Sequence, residues 1–198
     1  MTNSEERLIK VDRQGFVFEF HVTMASSADT EQLKQVHRFG RITGDWDITP
    51  RYAWARFTNN EYYDTWSNKL FDRSKTVLKA TLNGTVVGLG VLGEADRGEG
   101  YDAIWERFPH LCELHQMYVV AGYQNSGIGT AMFRLLVEKA KAKGHDAMVI
   151  NLLTGNAQAL RFYQHMGAVF SATVRETKST EPHQPPIEIS CDLLITRL

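Results

Sequence analysis

ELHQMYVVAGYQNSGIGT, residues Glu113 to Thr130, begins as one kind of secondary structure and ends as another. Leu114, Met117, Tyr118, Val119 and Val120 have the apolar and β-branched character of a buried strand. From Gly127 the period changes, and Ile128, Ala131, Met132, Leu135 and Leu136 recur at the spacing of one helix face. Lys139, Lys141 and Lys143 suit the negative end of that helix, and Gly144 suits its stop. Unpaired N–H groups at a helix start attract anions, and Gly127 and Gly129 let one approach the main chain. Gln124-x-x-Gly127-x-Gly129 therefore reads as a pyrophosphate cradle, or as a tight turn that needs glycine for its own sake. A Walker loop is excluded because Thr130 follows Gly129 directly, and a dinucleotide fingerprint would need glycine at Met132.

A second stretch, GNAQALRFYQHMGA from Gly155 to Ala168, decides between these readings. Asn156, Ala159, Tyr163 and Gly167 form Asn-x-x-Ala-x-x-x-Tyr-x-x-x-Gly behind the glycine loop. In that order and spacing the two motifs resemble the GNAT superfamily of N-acetyltransferases, with a specific match from about Glu113 to Phe170. The resemblance implies an α+β, three-layer α/β/α fold whose mixed, mostly antiparallel central sheet is splayed at the cofactor site. It also implies one acetyltransferase domain over 1–198, with 1–24 an N-terminal hairpin extension and 113–170 the acyl-CoA-binding core. The implied activity is direct acetyl transfer from acetyl-CoA to a primary amine in a ternary complex. The competing reading is a non-catalytic acyl-CoA sensor or scaffold, which keeps the loop and dispenses with Glu113 and Tyr163.

Such a transfer needs a proton acceptor, because an amine with a pKa of about 10 is protonated at neutral pH. It also needs a donor to the developing oxyanion and an acid for the departing thiolate. By resemblance, Glu113 is the first candidate base and His115 the reserve, since both share one face of a regular strand. Met117 and Val119 offer backbone amides, and Tyr163 is the acid. The implied cofactor contacts are Met117, Tyr118, Val119, Gln124, Asn125, Ser126, Gly127, Ile128, Gly129, Thr130, Asn156, Ala159, Phe162 and Tyr163. Each has a plain structural reading beside the functional one. Glu113 reads as a solvated strand-end carboxylate, His115 as a core histidine, Asn156 as a helix cap, and Tyr163 as a packing aromatic.

Composition sets the outer bounds. A hydrophobic content of 43% with 23% charged residues is ordinary for a globular core, and the net charge of −1 gives no reason to expect nucleic acid. No membrane-length apolar run or signal peptide is present, so the expected location is cytoplasmic, with no membrane partner. Cys112 and Cys191 sit in apolar runs and read as buried free thiols; neither matches a nucleophile of the family the chain resembles, which disfavours a covalent acetyl-enzyme. His110, Cys112 and His115 are zinc-ligand types, but a straight strand divides them between two faces; no metal is expected.

Along the rest of the chain, residues 7–24 alternate with period two (Phe16, Phe18, Phe20, Val22 and Met24) and read as a hairpin. Ser27 caps a helix with Leu33, Val36 and Phe39, ended by Gly40. Residues 41–59 form an aromatic loop around Trp46, Tyr52, Trp54 and Phe57, and Asn60 opens a helix with Tyr63, Trp66 and Leu70 on one face. Asn83-Gly84 joins two strands as a hairpin. Gly88, Gly90 and Gly93 spell a dinucleotide motif that no helix follows, and they mark a bulge or close packing instead. Asp45, Asp47, Glu94, Asp96 and Glu99 are loop acids placed to draw a cationic small-molecule or peptide amine, or simply to be solvated. His183, Pro185 and Pro186 lie in the loop before a last strand that is a candidate homodimer edge.

Overall fold

The computed structural model describes residues 6–13, 16–44, 60–98, 100–178 and 187–198. The loop aromatics Trp46, Tyr52, Trp54 and Phe57, the acids Asp45, Asp47 and Glu99, and His183, Pro185 and Pro186 lie outside the described residues. Among the described residues eight strands form one sheet: β1 (Arg7–Arg13), β2 (Phe16–Met24), β3 (Thr76–Leu82), β4 (Thr85–Glu94), β5 (Leu111–Val119), β6 (Ala147–Leu153), β7 (Val169–Lys178) and β8 (Ile187–Arg197). Their order is β1-β2-β3-β4-β5-β6-β8-β7, and only the β5–β6 pair is parallel. The last strand is therefore interior, between β6 and β7. The sheet's edges are β1 and β7, which corrects the placing of a dimer edge on β8.

Helices cover both faces. On one side lie α4 (Ile128–Ala142) and α5 (Ala157–His165), packed around Met132, Phe133, Leu136 and Tyr163. On the other lie α1 (Thr30–Gly44) and α2 (Asn60–Leu70), burying Leu33, Val36, Tyr63 and Trp66, with α3 (Asp102–Arg107) beside them. A short 3-10 turn, Ser27–Asp29, precedes α1; the Asp29 carboxylate accepts from the Ser26 amide (2.8 Å) and hydroxyl (3.2 Å). The cap is thus Ser26 rather than Ser27, and the helix starts at Thr30.

Two expectations fail for packing reasons. Helix α1 runs through Gly40 to Gly44, and Phe39 is exposed. A Cβ on Gly40 would lie 2.3 Å from Tyr118 Cδ1, so that glycine is a notch for a ring on β5. In β2, Phe20 and Val22 reach the core, while Phe18 and Met24 stay exposed near the sheet edge.

The other glycines fit their expected place. Asn83 (φ 49°) and Gly84 (φ 80°) make the tight β3–β4 turn that requires positive φ at both positions. Gly88 and Gly90 lie under α4, where added Cβ atoms would stand 2.9 Å from Met132 Sδ and 3.1 Å from Leu136 Cδ1. Their bareness lets the helix settle on the sheet.

Candidate active site

The sheet opens where β5 and β6 part. They pair only from Leu111–Leu114 to Ala147–Ile150; beyond that β5 stays with β4, and β6 with β8. Val120 N donates to Val87 O (2.9 Å), so by antiparallel alternation Tyr118 also turns its amide toward β4. Met117 and Val119 turn theirs toward the opening.

A cleft of about 570 Å³ fills this opening on the α4/α5 side. Met117, Tyr118 and Val119 of β5 line it, as do Gln124, Asn125, Gly127, Gly129 and Thr130 of the loop and helix start. Asn156, Ala159, Phe162 and Tyr163 close the far wall. Two residues of the expected set do not line it. Ser126 donates its hydroxyl to Tyr123 O, and Ile128 is wholly buried in the core. Gly40, Gln158, Arg161 and His165 line the cleft without having been anticipated. Gln158, Arg161 and His165 recur at i, i+3 and i+7 on the helix after Asn156, a signal that was available; Gly40 is brought there by packing alone.

The loop is built by two left-handed residues, Asn125 (φ 58°) and Gly127 (φ 82°), the latter the N-cap of α4. Gly127 needs to be glycine for its backbone. Gly129 does not: its φ is not left-handed, and an added Cβ would make only ordinary contact, 3.5 Å from Phe162 Cε2. A side chain there would instead project into the cleft between Phe162 and Val119, beside the first helical amides, which have no helix carbonyl to donate to. Gln124 braces the loop, donating to Val119 O (3.1 Å) and accepting from Gln158 Nε2 (3.1 Å). Both ends of its side chain are engaged, so the loop can offer an anion its main chain there.

Asn156 caps α5, its Oδ1 accepting from Ala159 N at 3.0 Å. Tyr163 is 6% exposed and held between Phe162 (ring centroids 5.2 Å) and Phe133 (6.0 Å).

Glu113 and His115 lie on the opposite side of the sheet. A bulge opposite Val91 and Leu92 leaves His115 as the extra residue of β5. Glu113, His115 and Gln116 therefore come to one side together. Glu113 is 4% exposed, not a solvated strand end; its Oε2 accepts from Asp96 N (3.1 Å) and its Oε1 stands 3.6 Å from His115 Nδ1. His115, not Glu113, borders a second cavity, of about 240 Å³, beneath α2. Of the loop acids, Glu94 and Asp96 are exposed and line neither cavity.

Among the described residues no group of three His, Cys, Asp or Glu could hold a metal, and no helix is long and apolar enough to cross a membrane. Cys112 and Cys191 are both buried and free. Burial pushes the Cys112 thiol up to about 12.

An eight-stranded mixed sheet, parted beside a glycine loop that opens a helix, defines an acetyltransferase-type fold. The family model for the acetyltransferase (GNAT) family matches residues 42–168, and the chain belongs to that family. It is 25% identical over 133 residues to the L-methionine sulfoximine/L-methionine sulfone acetyltransferase of Pseudomonas aeruginosa, covering 65% of this chain and 66% of that protein. It is 29% identical over 96 residues to the L-amino acid N-acyltransferase MnaT of Escherichia coli, covering 48% and 51%. The chain thus spans just under two thirds of one relative and about half of the other. Its fold matches that of yncA from Salmonella typhimurium, solved with its cofactor acetyl-CoA (TM-score 0.63, 17% identity, 90% and 93% of the chains).

Proposed function

We propose that this protein is an N-acetyltransferase that transfers acetyl from acetyl-CoA directly to a small primary amine. The observation that carries the reading is Gly129, a glycine that neither backbone nor packing demands, set before bare helix-start amides. The residues fit the carrier's diphosphate, because the N-terminus of α4 offers donors and favourable dipole, and Arg161 stands at the cleft's rim. When bound, acetyl-CoA supplies an acetyl group activated as a thioester. Met117 and Val119 amides face the opening and would steady charge on the acyl oxygen. Tyr163, on the α5 wall, would give its proton to the departing sulfur.

On the other face His115 is the group that reaches a cavity, with Glu113 behind it. In this reading His115 takes the amine's proton and Glu113 stabilises the resulting imidazolium and orients the ring. A cleft for the carrier and a cavity for the amine, lined by consecutive residues of β5 (Met117–Val119 and His115–Gln116), support direct transfer. A thiol held at about 12 by burial is a poor nucleophile, which weighs against a covalent route through Cys112. The relatives' names make amino acids and their analogues the first acceptors to try.

The test is Gly129→Ala. Alanine should leave the melting temperature unchanged or raise it, since Ala outranks Gly in a helix by about 1 kcal/mol. Coenzyme A affinity, measured by calorimetry, should fall at least about tenfold, the equivalent of 1.4 kcal/mol. Unchanged affinity would remove the main support for the reading.

A further inference from the structure

Among the described residues that line the cleft, Arg161 is the one Lys or Arg, and none is Asp or Glu. Arg161 has no ion-pair partner among the described residues, whereas Lys34 and Lys79 are each held by a carboxylate. Its place on α5 sets what it can reach. Ala159, Phe162 and Tyr163 are buried or half-buried on the inward face, while Gln158, Arg161 and His165 are exposed along the adjoining stripe. Gln158 Nε2 donates to Gln124 Oε1 (3.1 Å), so this stripe begins at the glycine loop. At about 1.5 Å of rise per residue, Arg161 stands ~4.5 Å along the axis from that bridge, and His165 ~6 Å further.

The amides at the start of α4 are the donors for the carrier's diphosphate. Coenzyme A carries a further phosphate, a monoester on the 3′ oxygen of the ribose. Only that sugar joins it to the diphosphate, so it cannot lie far from the loop. Its second pKa is about 6, and at neutral pH it holds nearly two negative charges. A guanidinium suits it, because its planar fork of N–H donors pairs bidentately with phosphate.

We propose that Arg161, with His165 one turn on, forms a second anion subsite of this cleft that reads the 3′-phosphate, so that the protein selects coenzyme A over its 3′-dephospho form. The proposal rests on the acetyl-transfer reading above and adds the specificity for the carrier. Arg161 supplies the charge, and the His165 imidazole adds an N–H on the same stripe. With no carboxylate among the lining residues, nothing in the cleft opposes the added anion.

The experiment is calorimetry on the full chain with coenzyme A and with 3′-dephospho-coenzyme A, for the parent, Arg161→Gln and His165→Gln. The parent should bind coenzyme A at least about tenfold more tightly, the scale of one charge-assisted hydrogen bond. Arg161→Gln should remove most of that difference by weakening coenzyme A alone, and His165→Gln a smaller part of it. Both side chains are exposed, so the melting temperature should hold. Added salt should narrow the parent's preference, because exposed charges are screened. Equal affinity of the parent for the two carriers would overturn the inference and leave acetyl transfer standing. A loss in Arg161→Gln shared alike by both carriers would also overturn it, placing the guanidinium on the diphosphate. A parent that binds neither carrier would instead defeat the acetyl-transfer reading itself.

Discussion

Tyr163 combines a packed ring with a place on the cleft wall, and the two roles respond differently to losing one oxygen. Tyr163→Phe keeps the contacts with Phe133 and Phe162 and forfeits at most one hydrogen bond, about 1 kcal/mol of stability. If the phenol is the acid, kcat falls by about 10²–10⁴-fold while coenzyme A affinity holds. Steady-state kinetics beside calorimetry separates these outcomes, and unchanged turnover across pH would leave Tyr163 a packing residue. At this scale the sequence was informative where a motif names a position, as for Asn156, Tyr163 and the glycines. It put Glu113 before His115 as the base, but could not say which of the two borders a cavity. That depends on which β5 residue is bulged out, and the bulge is set by pairing with Val91 and Leu92 on another strand.

Elements show the same boundary between local and non-local causes. The β3–β4 hairpin and the span of α4 were legible because turn glycines and helix periodicity act within a few residues. The sequence pattern ends α1 too early, at Gly40, because a glycine after an apolar run looks like a stop. The ring that occupies its notch comes from Tyr118, far along the chain. The cavity beneath α2 was illegible for a like reason: Trp66, Lys75 and Gln116 come from three separate segments. Gly40→Ala tests the notch. Helix propensity alone would stabilise the variant by about 1 kcal/mol. The new methyl, however, would stand 2.3 Å from Cδ1 and 2.8 Å from Cβ of Tyr118, so no rotation of the ring clears it. Overpacking of this kind costs about 1–3 kcal/mol, and the clash should win. A lowered melting temperature is expected, together with weaker coenzyme A binding, because Gly40 and Tyr118 both border the cleft. A variant more stable than the parent would show that α1 can shift freely.

For the molecule as a whole, two buried acids on opposite faces of the sheet report on how it unfolds. Burial raises Cys112, in the α4/α5 layer, from 9.0 to about 12, and burial raises Tyr63, in the α1/α2 layer, from 10.0 to about 12 despite the opposing pull of Arg38. Both groups keep their protons in the folded chain after the unfolded chain has lost them. Unfolding then releases protons, and stability must fall as pH rises. The contribution is fully present below about pH 9, and is lost progressively from the unfolded values of 9.0 and 10.0 up to about 12. Chemical denaturation across that range should show a declining unfolding free energy. Cys112→Ala and Tyr63→Phe should each make the decline shallower, whatever they do to stability at neutral pH. Both layers share β4 and β5, so we expect one cooperative transition over residues 1–198, with the two substitutions reducing the same slope additively. Parallel slopes for parent and variants would mean that neither group is protected from water. Two transitions, each answering to one substitution, would mean that the helical layers leave the sheet separately and that the chain is not a single folding unit.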